Sequence, residues 1–526
     1  MSLRKKLALT TGGLLLLSLP ILAQSTAPTV VVEKHHDSSA PLRSMVLKTP
    51  HLQPTVVPGE FSEFQEFTAP LKVVAVPDNA LQSSVSSPVV ASVGLGFAGV
   101  GQGDYGYTVN FPAPDTNGSA GATQFVQVVA SSFAVFNKST GALVLGPSSI
   151  NSIFQGFGGP CETAQAGDSV VVYDKIAGRW VIGTMAQRLA SGEGFSYECI
   201  AVSQTSDATG SYYRYSLNMN AIDYQKIGVW PDGYYLGMNN PLNTTATACA
   251  LDRSAMLNGA TMKSVCFTRP GFNTLLPSDL DGHILPPAGS PNYFVGGINS
   301  GKNVLNMFKF HADFNNTAKS TLTGPIAITV APYTPSCVGS GPSFYRTCVA
   351  QKGTTTKLET LSDRLMYRNS YRNFSDHEAI VLNHTVDVNG SAEVRWYELR
   401  ALENGNFAVF QQGTFAPNSG SRWMGSAAMD AAGDIALGYA TSSSSQYPSM
   451  AFTGRVPTDP AGMMEGEKLL FTGTSSSGNI LWGDYTSMSV DAADDCTFWY
   501  TSEYYKAGQS TNWSTRISSF RFPGCK

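Results

Sequence analysis

The chain has 526 residues, 42% hydrophobic, 11% aromatic and only 14% charged, with 34 Lys and Arg against 38 Asp and Glu. A typical soluble protein is about 25% charged, so this one lacks the Glu, Lys and Arg that coiled coils and helical arrays need, and it has no cationic excess for nucleic-acid phosphates. Its 22 Tyr, 27 Phe and 7 Trp supply a core, which excludes wholesale disorder.

Arg4, Lys5 and Lys6 precede an apolar run from Leu7 to Leu22, and small residues follow at Ala23, Ser25 and Ala27. That order predicts a secretory signal peptide over residues 1–23, cut after Ala23 or Ala27, and an exported protein, extracellular or periplasmic. The run is too short and too interrupted for a membrane span, and no later segment reads as one. Residues 28–90, rich in Pro, Val and Ser, read as a leader or linker with little packed structure of its own. His35 and His36 there are a weak candidate metal pair beside the bland alternative of an exposed leader.

From about residue 115 the texture is one of short alternating runs rich in Val, Tyr, Phe, Trp and Thr between Gly, Asp, Asn and Ser turns, which predicts an all-β chain. One plan recurs, a polar start, a small or apolar strand, a turn and an aromatic strand, beginning at Gln124, Asp168, Asp223, Asp279, Asp363, Arg422 and Asp484. Seven such units suit a β-propeller of four-stranded blades over residues 94–526; a pair of β-sandwiches is the alternative. Innermost strands crowd at the axis, matching the small residues Gly228, Gly425, Ser426, Ala427, Ala428, Thr486 and Ser487. Second strands lie inside the blade, matching Trp180, Tyr234, Tyr235, Tyr293, Phe294, Phe498 and Trp499. The last unit is short of strands, and the segment 94–112 is the candidate to close the ring.

Eight cysteines, Cys161, Cys199, Cys249, Cys266, Cys337, Cys348, Cys496 and Cys525, all lie in the expected exported part. An even count predicts disulfides, with 105 connectivities open and the sequential pairing the shortest. No close pair suits zinc.

The run Pro114-Asp115-Thr116-Asn117-Gly118-Ser119-Ala120-Gly121, followed by Gln124-Phe125-Val126-Gln127, resembles the opening of a group of secreted bacterial β-propeller proteins. Asp223-Tyr224-Gln225-Lys226, Arg395-Trp396-Tyr397, the stretch from Trp482 to Tyr505 and that from Trp513 to Cys525 are similar to further parts of it. Ala122 and Leu481 depart from the group's pattern. The resemblance implies the propeller fold over roughly 112–525; most members have no assigned activity. The Asp-x-x-x-Gly turns are loosely similar to the Asp-boxes of sialidase-type propellers.

In a propeller the starts of the repeats converge on one funnel. They supply Asp168, Asp223, Lys226, Asp279, Asp281, Asp363, Arg364, Arg422, Trp423, Trp482, Asp484 and Tyr485. Carboxylates, cations and aromatics together suit a saccharide, including an acidic one held by an Arg fork. A glycosidase needs a general acid and a second carboxylate or a Tyr nucleophile, which makes Asp223, Asp484, Tyr485 and Glu378 the catalytic candidates. Lys226, Arg364, Arg422, Trp423, Trp482 and His377 are the ligand-binding candidates. Each Asp has the alternative of capping a turn. The acidic turn Asp491–Asp495 is a candidate for Ca2+, with no EF-hand pattern; no other cofactor is indicated. Two functions stand side by side: a monomeric propeller that binds and hydrolyses extracellular carbohydrate, and a non-catalytic scaffold or adhesion module holding a protein or glycan partner.

Overall fold

The computed structural model describes residues 27–49, 76–85, 87–109, 111–189, 194–296, 303–337 and 347–526. The expected signal peptide lies outside them. The protein is a β-propeller, not a sandwich, built of four-stranded antiparallel units whose strands follow in chain order. The first unit is Asn117–Ala120, Gln124–Val129, Ser132–Asn137 and Leu143–Ser149. The long strand Tyr212–Val229 completes the second unit with its first half, beside Ala166–Asp174, Arg179–Arg188 and Phe195–Ser203. Its second half opens the third unit, with Gly233–Asn239, Thr245–Asp252 and Ser264–Pro270. The fourth unit is Leu275–Leu276, Asn292–Gly296, Val304–His311 and Thr321–Thr329. Its inner edge continues as Ser278–Asp281, which pairs in parallel with the fifth unit's first strand, Leu365–Asn373.

Glu378–Val388, Ser391–Ala401 and Phe407–Phe415 complete the fifth unit. Ser421–Met429, Ile435–Ser443, Gln446–Arg455 and Lys468–Phe471 form the sixth. The last runs Ser487–Val490, Thr497–Tyr504 and Ser514–Arg521, and its fourth strand is Ser92–Ala98, paired antiparallel with Ser514–Arg521. Inner strands touch from unit to unit all the way round, the last returning to the first, so the segment at 94–112 closes the ring as expected. Closure gives the last unit its fourth strand and leaves each blade a single outer edge.

The packing logic expected from the residues holds. Trp180, Tyr234, Tyr235, Tyr293, Phe294, Phe498 and Trp499 are all buried, and Gly228 has no room for a side chain, because a Cβ there would lie 2.4 Å from the Ser278 carbonyl oxygen. The first unit corrects the repeat frame: its inner strand is Asn117–Ala120, one strand ahead of the expected start at Gln124. Four uncharged residues ending a Pro-Asp turn read as loop, yet all four are buried against the neighbouring inner strands.

The described parts of 28–90 also overturn the loose-leader expectation. Thr29 bridges to Cys266 on the third unit, Glu33–Ser38 pairs as an extra strand with Tyr212–Val229 on the second, and the Lys48 carbonyl accepts from Ser149 on the first. Leu42 is fully buried among Phe154, Phe157 and Tyr212. Arg214 grips Asp37 through two bonds of 2.7 and 2.6 Å. Further on, Leu81–Gln82 pairs in parallel with Phe407–Phe415, and Arg395 and Thr414 hold Asp78. These described stretches form a strap laid along the outer edges of the blades. Its two histidines hold no common ligand position: His35 packs on Phe157, while His36 stacks on Tyr215 and bonds Glu33.

Four disulfides join Cys161–Cys199, Cys249–Cys266, Cys337–Cys348 and Cys496–Cys525, the sequential pairing. Disulfides of this number belong to oxidising compartments. No helix among the described residues is long and apolar enough to cross a membrane.

Candidate functional site

The inner strands share a device the sequence does not announce. Register slips between Gly167 and Val170, Asp223 and Lys226, and Trp423 and Ser426, and within each slip one residue has a left-handed backbone: Asp168 (φ 50°), Tyr224 (φ 52°) and Met424 (φ 50°). A bulge of this kind bends the strand and re-aims its side chains. Here it sits at the start of the strand, where the blades converge. Gln225 secures one of them by donating from Nε2 to the Asp168 carbonyl at 2.8 Å.

At this mouth the structure gathers Asp168, Asp223, Lys226, Arg364, Asp484 and Tyr485 from the repeat starts, and adds Asp115 and Tyr224. The Lys226 ammonium lies between two tyrosine faces, 3.3 Å from the Tyr224 ring centre and 3.2 Å from that of Tyr485. It is 1% exposed and has no hydrogen-bond acceptor among the described residues. The Tyr485 hydroxyl donates to Asp168 Oδ2 at 2.8 Å. Arg364 lies over the other side of Tyr224, at 4.6 Å, and its guanidinium is held by Asp363 through bonds of 3.0 and 3.2 Å. Beneath, two buried carboxyls fix the turn that presents Asp484: Glu359 accepts from the Trp482 amide at 3.1 Å and Glu503 from the Gly483 amide at 2.7 Å.

The four half-buried aspartates, 115, 168, 223 and 484, crowd around one ammonium. Burial, then Asp168, pushes Asp223 up to about 7. Burial also raises Asp484 to about 6, against the pull of Lys226 and Arg364. Asp115 is driven well above the usual carboxylate range by burial and then by Asp484. Burial lowers Lys226 to about 7, opposed by Asp484 and Asp168. Both tyrosines are pushed up, first by burial and then by the carboxylates. Asp223, Asp484 and Lys226 are thus poised near neutrality, a property that concentrates at functional sites.

Below the mouth the channel is plugged. Arg368 bonds Asp279 at 2.7 Å and Asp281 at 3.0 and 3.1 Å, and Lys175 reaches Asp281 at 2.9 Å. Gly118, Val171, Tyr173, Tyr367 and Ser489 close in around them. The mouth is thus separated from the far end of the channel by ion pairs. Asp279 and Asp281, expected at the funnel, belong to this plug. The fourth unit's inner edge starts earlier, at Leu275, so both fall deeper along it.

Other candidates lie elsewhere. Glu378 starts the second strand of the fifth unit, at the far end of the channel, and accepts from Tyr371 at 2.6 Å. His377, in the turn before it, stacks on Phe374 and contacts Asp376. Arg422 is fully buried between Glu393 and Glu467. Trp423 packs on Trp482, ring centres 5.3 Å apart, and both are buried, offering no face to a sugar. The acidic turn at 491–495 is engaged by protein donors: Asp491 by Lys138 and Trp499, Asp494 by Thr497, Asp495 by Arg372. Among the described residues no three His, Cys, Asp or Glu side chains are arranged to hold a metal ion.

No family model matches the chain, and no curated protein matches it. Among solved structures it is similar to the WD40 domain of SCAP from fission yeast, with 8% identity and a TM-score of 0.34 over 76% of this chain and 82% of that one. It is also similar to the N-terminal domain of Nup159, with 9% identity and a TM-score of 0.34 over 83% and 98%. A polysaccharide lyase of family PL25, an ulvan lyase bound to -[GlcA(1-4)Rha3S]-, gives 12% identity and a TM-score of 0.34 over 84% and 95%. Likeness at this distance says nothing of activity, and the site stands on its own geometry.

Proposed function

We propose that this is an exported propeller that binds a glycan in its funnel and hydrolyses a glycosidic bond there by carboxyl chemistry. The observation that carries the reading is the pair Asp223 and Asp484, half-buried at one mouth, with proton affinities raised to about 7 and about 6. Between those values the pair as a whole carries a shared proton. A protonated carboxyl, Asp223, gives its proton to the departing glycosidic oxygen. An ionised one, Asp484, attacks the anomeric carbon or takes a proton from the attacking water. Tyr485 is better suited to positioning than to attack, because its hydroxyl proton is committed to Asp168 and its acidity is suppressed. Export is supported by the basic, apolar, small-residue start of the chain and by four disulfides. Either cut, after Ala23 or Ala27, leaves the Thr29 bridge intact.

The test is release of reducing ends from a panel of polysaccharides, with binding followed separately by affinity electrophoresis. Wild type should turn over at least one glycan fastest between about pH 6 and 7, and Asp484→Asn should abolish release while binding persists. Binding without turnover by the wild type would leave a glycan-holding module and remove the hydrolase. Neither binding nor turnover would remove both. N-terminal sequencing of protein recovered outside the cytoplasm should begin at Gln24 or Pro28.

A further inference from the structure

The charges at the mouth do not balance. Asp115, Asp168, Asp223 and Asp484 face one free-standing cation, Lys226, because the Arg364 guanidinium is already held by Asp363. An arginine so occupied is no fork for a ligand carboxylate, and a uronic acid would add one more like charge to aspartates that already raise one another's proton affinity.

Two further observations point to what the mouth accepts. The Lys226 nitrogen is buried against two tyrosine faces with no acceptor for its protons, and the Tyr224 hydroxyl, also buried, has no hydrogen-bond partner among the described residues. The floor thus already holds one ammonium by aromatic faces surrounded by carboxylates, the arrangement that recognises organic cations. It also keeps donor and hydroxyl capacity unspent.

Resting on the glycan reading above, we propose that the ligand carries protonated amino groups: an oligosaccharide of amino sugars with free amines, not a uronide and not a neutral glycan. Its ammonium groups pair with Asp115 and Asp168, the mouth carboxyls with no part in the bond-breaking step, and its ring hydroxyls meet the Tyr224 hydroxyl. As the cation arrives, Asp115, held neutral by burial and by Asp484, gives up its proton, so binding releases protons. The expectation of an acidic sugar is thereby reversed.

Titration calorimetry on the whole protein tests this with glucosamine hexamer, its fully N-acetylated form, a neutral glucan hexamer, a galacturonate hexamer and, as a sugar-free cation, spermidine. The glucosamine hexamer should bind at least about tenfold more tightly than the other three sugars. It should weaken as NaCl rises from about 0.05 to 0.5 M and release protons, seen as a dependence of the heat on the buffer's ionisation enthalpy. Asp168→Asn, with an unchanged melt, should weaken it about tenfold or more, while Lys226→Met, which removes the resident ammonium, should tighten it. That opposite sign separates charge recognition from general damage. Equal or tighter binding of the neutral or galacturonate hexamer would overturn the amino-sugar assignment and leave the glycan mouth standing. Spermidine bound with no hexamer bound would keep the cation preference and remove the glycan. No binding of any probe would overturn both.

Discussion

Replacing Leu42 by alanine asks whether the strap is part of the folded ring. Leu42 has no exposed surface and packs among Phe154, Phe157 and Tyr212. Truncation to alanine removes three carbons, each worth about 0.8 kcal/mol when buried. The cavity left behind adds a further term, giving about 3 kcal/mol within the roughly 2–5 kcal/mol seen for such sites. With about 2.1 cal/mol/K of unfolding entropy per residue, a domain of this size loses about 1 kcal/mol per degree near its midpoint, so the melting temperature should fall by about 3 °C. Scanning calorimetry under non-reducing conditions measures it, with Val46→Ala as the control: Val46 lies four residues on and is 86% exposed, so its effect should stay within about 0.5 kcal/mol. A Leu42→Ala midpoint indistinguishable from the control would refute the reasoning, since a loosely attached segment has no burial to lose.

Deleting Ser92–Ala98 should lower the melting temperature further and cause aggregation on light scattering, because Ser514–Arg521 then presents an open edge; a monomeric, fully stable deletion would remove the closure. Arg368→Met should cost about 3–5 kcal/mol in urea unfolding, because Asp279 then loses its cation, keeping the Val229 amide, while Asp281 keeps Lys175; a neutral result would mean the plug is not an ion-pair network. His384 is buried beside Tyr397 and Arg395, and burial pushes it down to about 3. The unfolded chain, with its His near 6.5, then binds the proton that the folded one refuses, so stability falls as pH drops below about 6.5, by up to about 1.4 kcal/mol per unit. Between pH 6.5 and 5 the wild type should lose about 2 kcal/mol more than His384→Gln; equal losses would exclude His384 as the source.

Much of this architecture is legible in the residues because a propeller repeats its constraints. Small axial residues at Ala427 and Ala428 and aromatics at Tyr234 and Tyr235 answer crowding and blade burial in the same way in successive units. The gathering of Asp223, Lys226, Arg364 and Asp484 follows from their shared place at strand starts. Asp115 was obscured by the first unit's frame, taken one strand late, although it precedes its inner strand much as Asp484 precedes the last. Glu359 and Glu503 carry no local signal, since they act on backbone amides of a turn remote in sequence. Arg422 and Trp423 are claimed by Glu393 and Glu467 and by Trp482, partners distant in sequence that no local pattern displays. The strap escaped notice for another reason. An edge strand is held by its backbone, so Glu33–Ser38 needs no apolar alternation, and its charges look solvated until Arg214 claims Asp37.

The pairing of Ser92–Ala98 with Ser514–Arg521 sets an order of events during synthesis. Gly96 and Arg516, joined in the finished ring, are 420 residues apart, an interval of roughly 20–80 s at about 5–20 residues per second of translation. For that time the early strand has no mate, and any chain that terminates before Ser514 never acquires one. Quality control that recognises an unmated strand would therefore discard prematurely ended copies however well their first six units had folded.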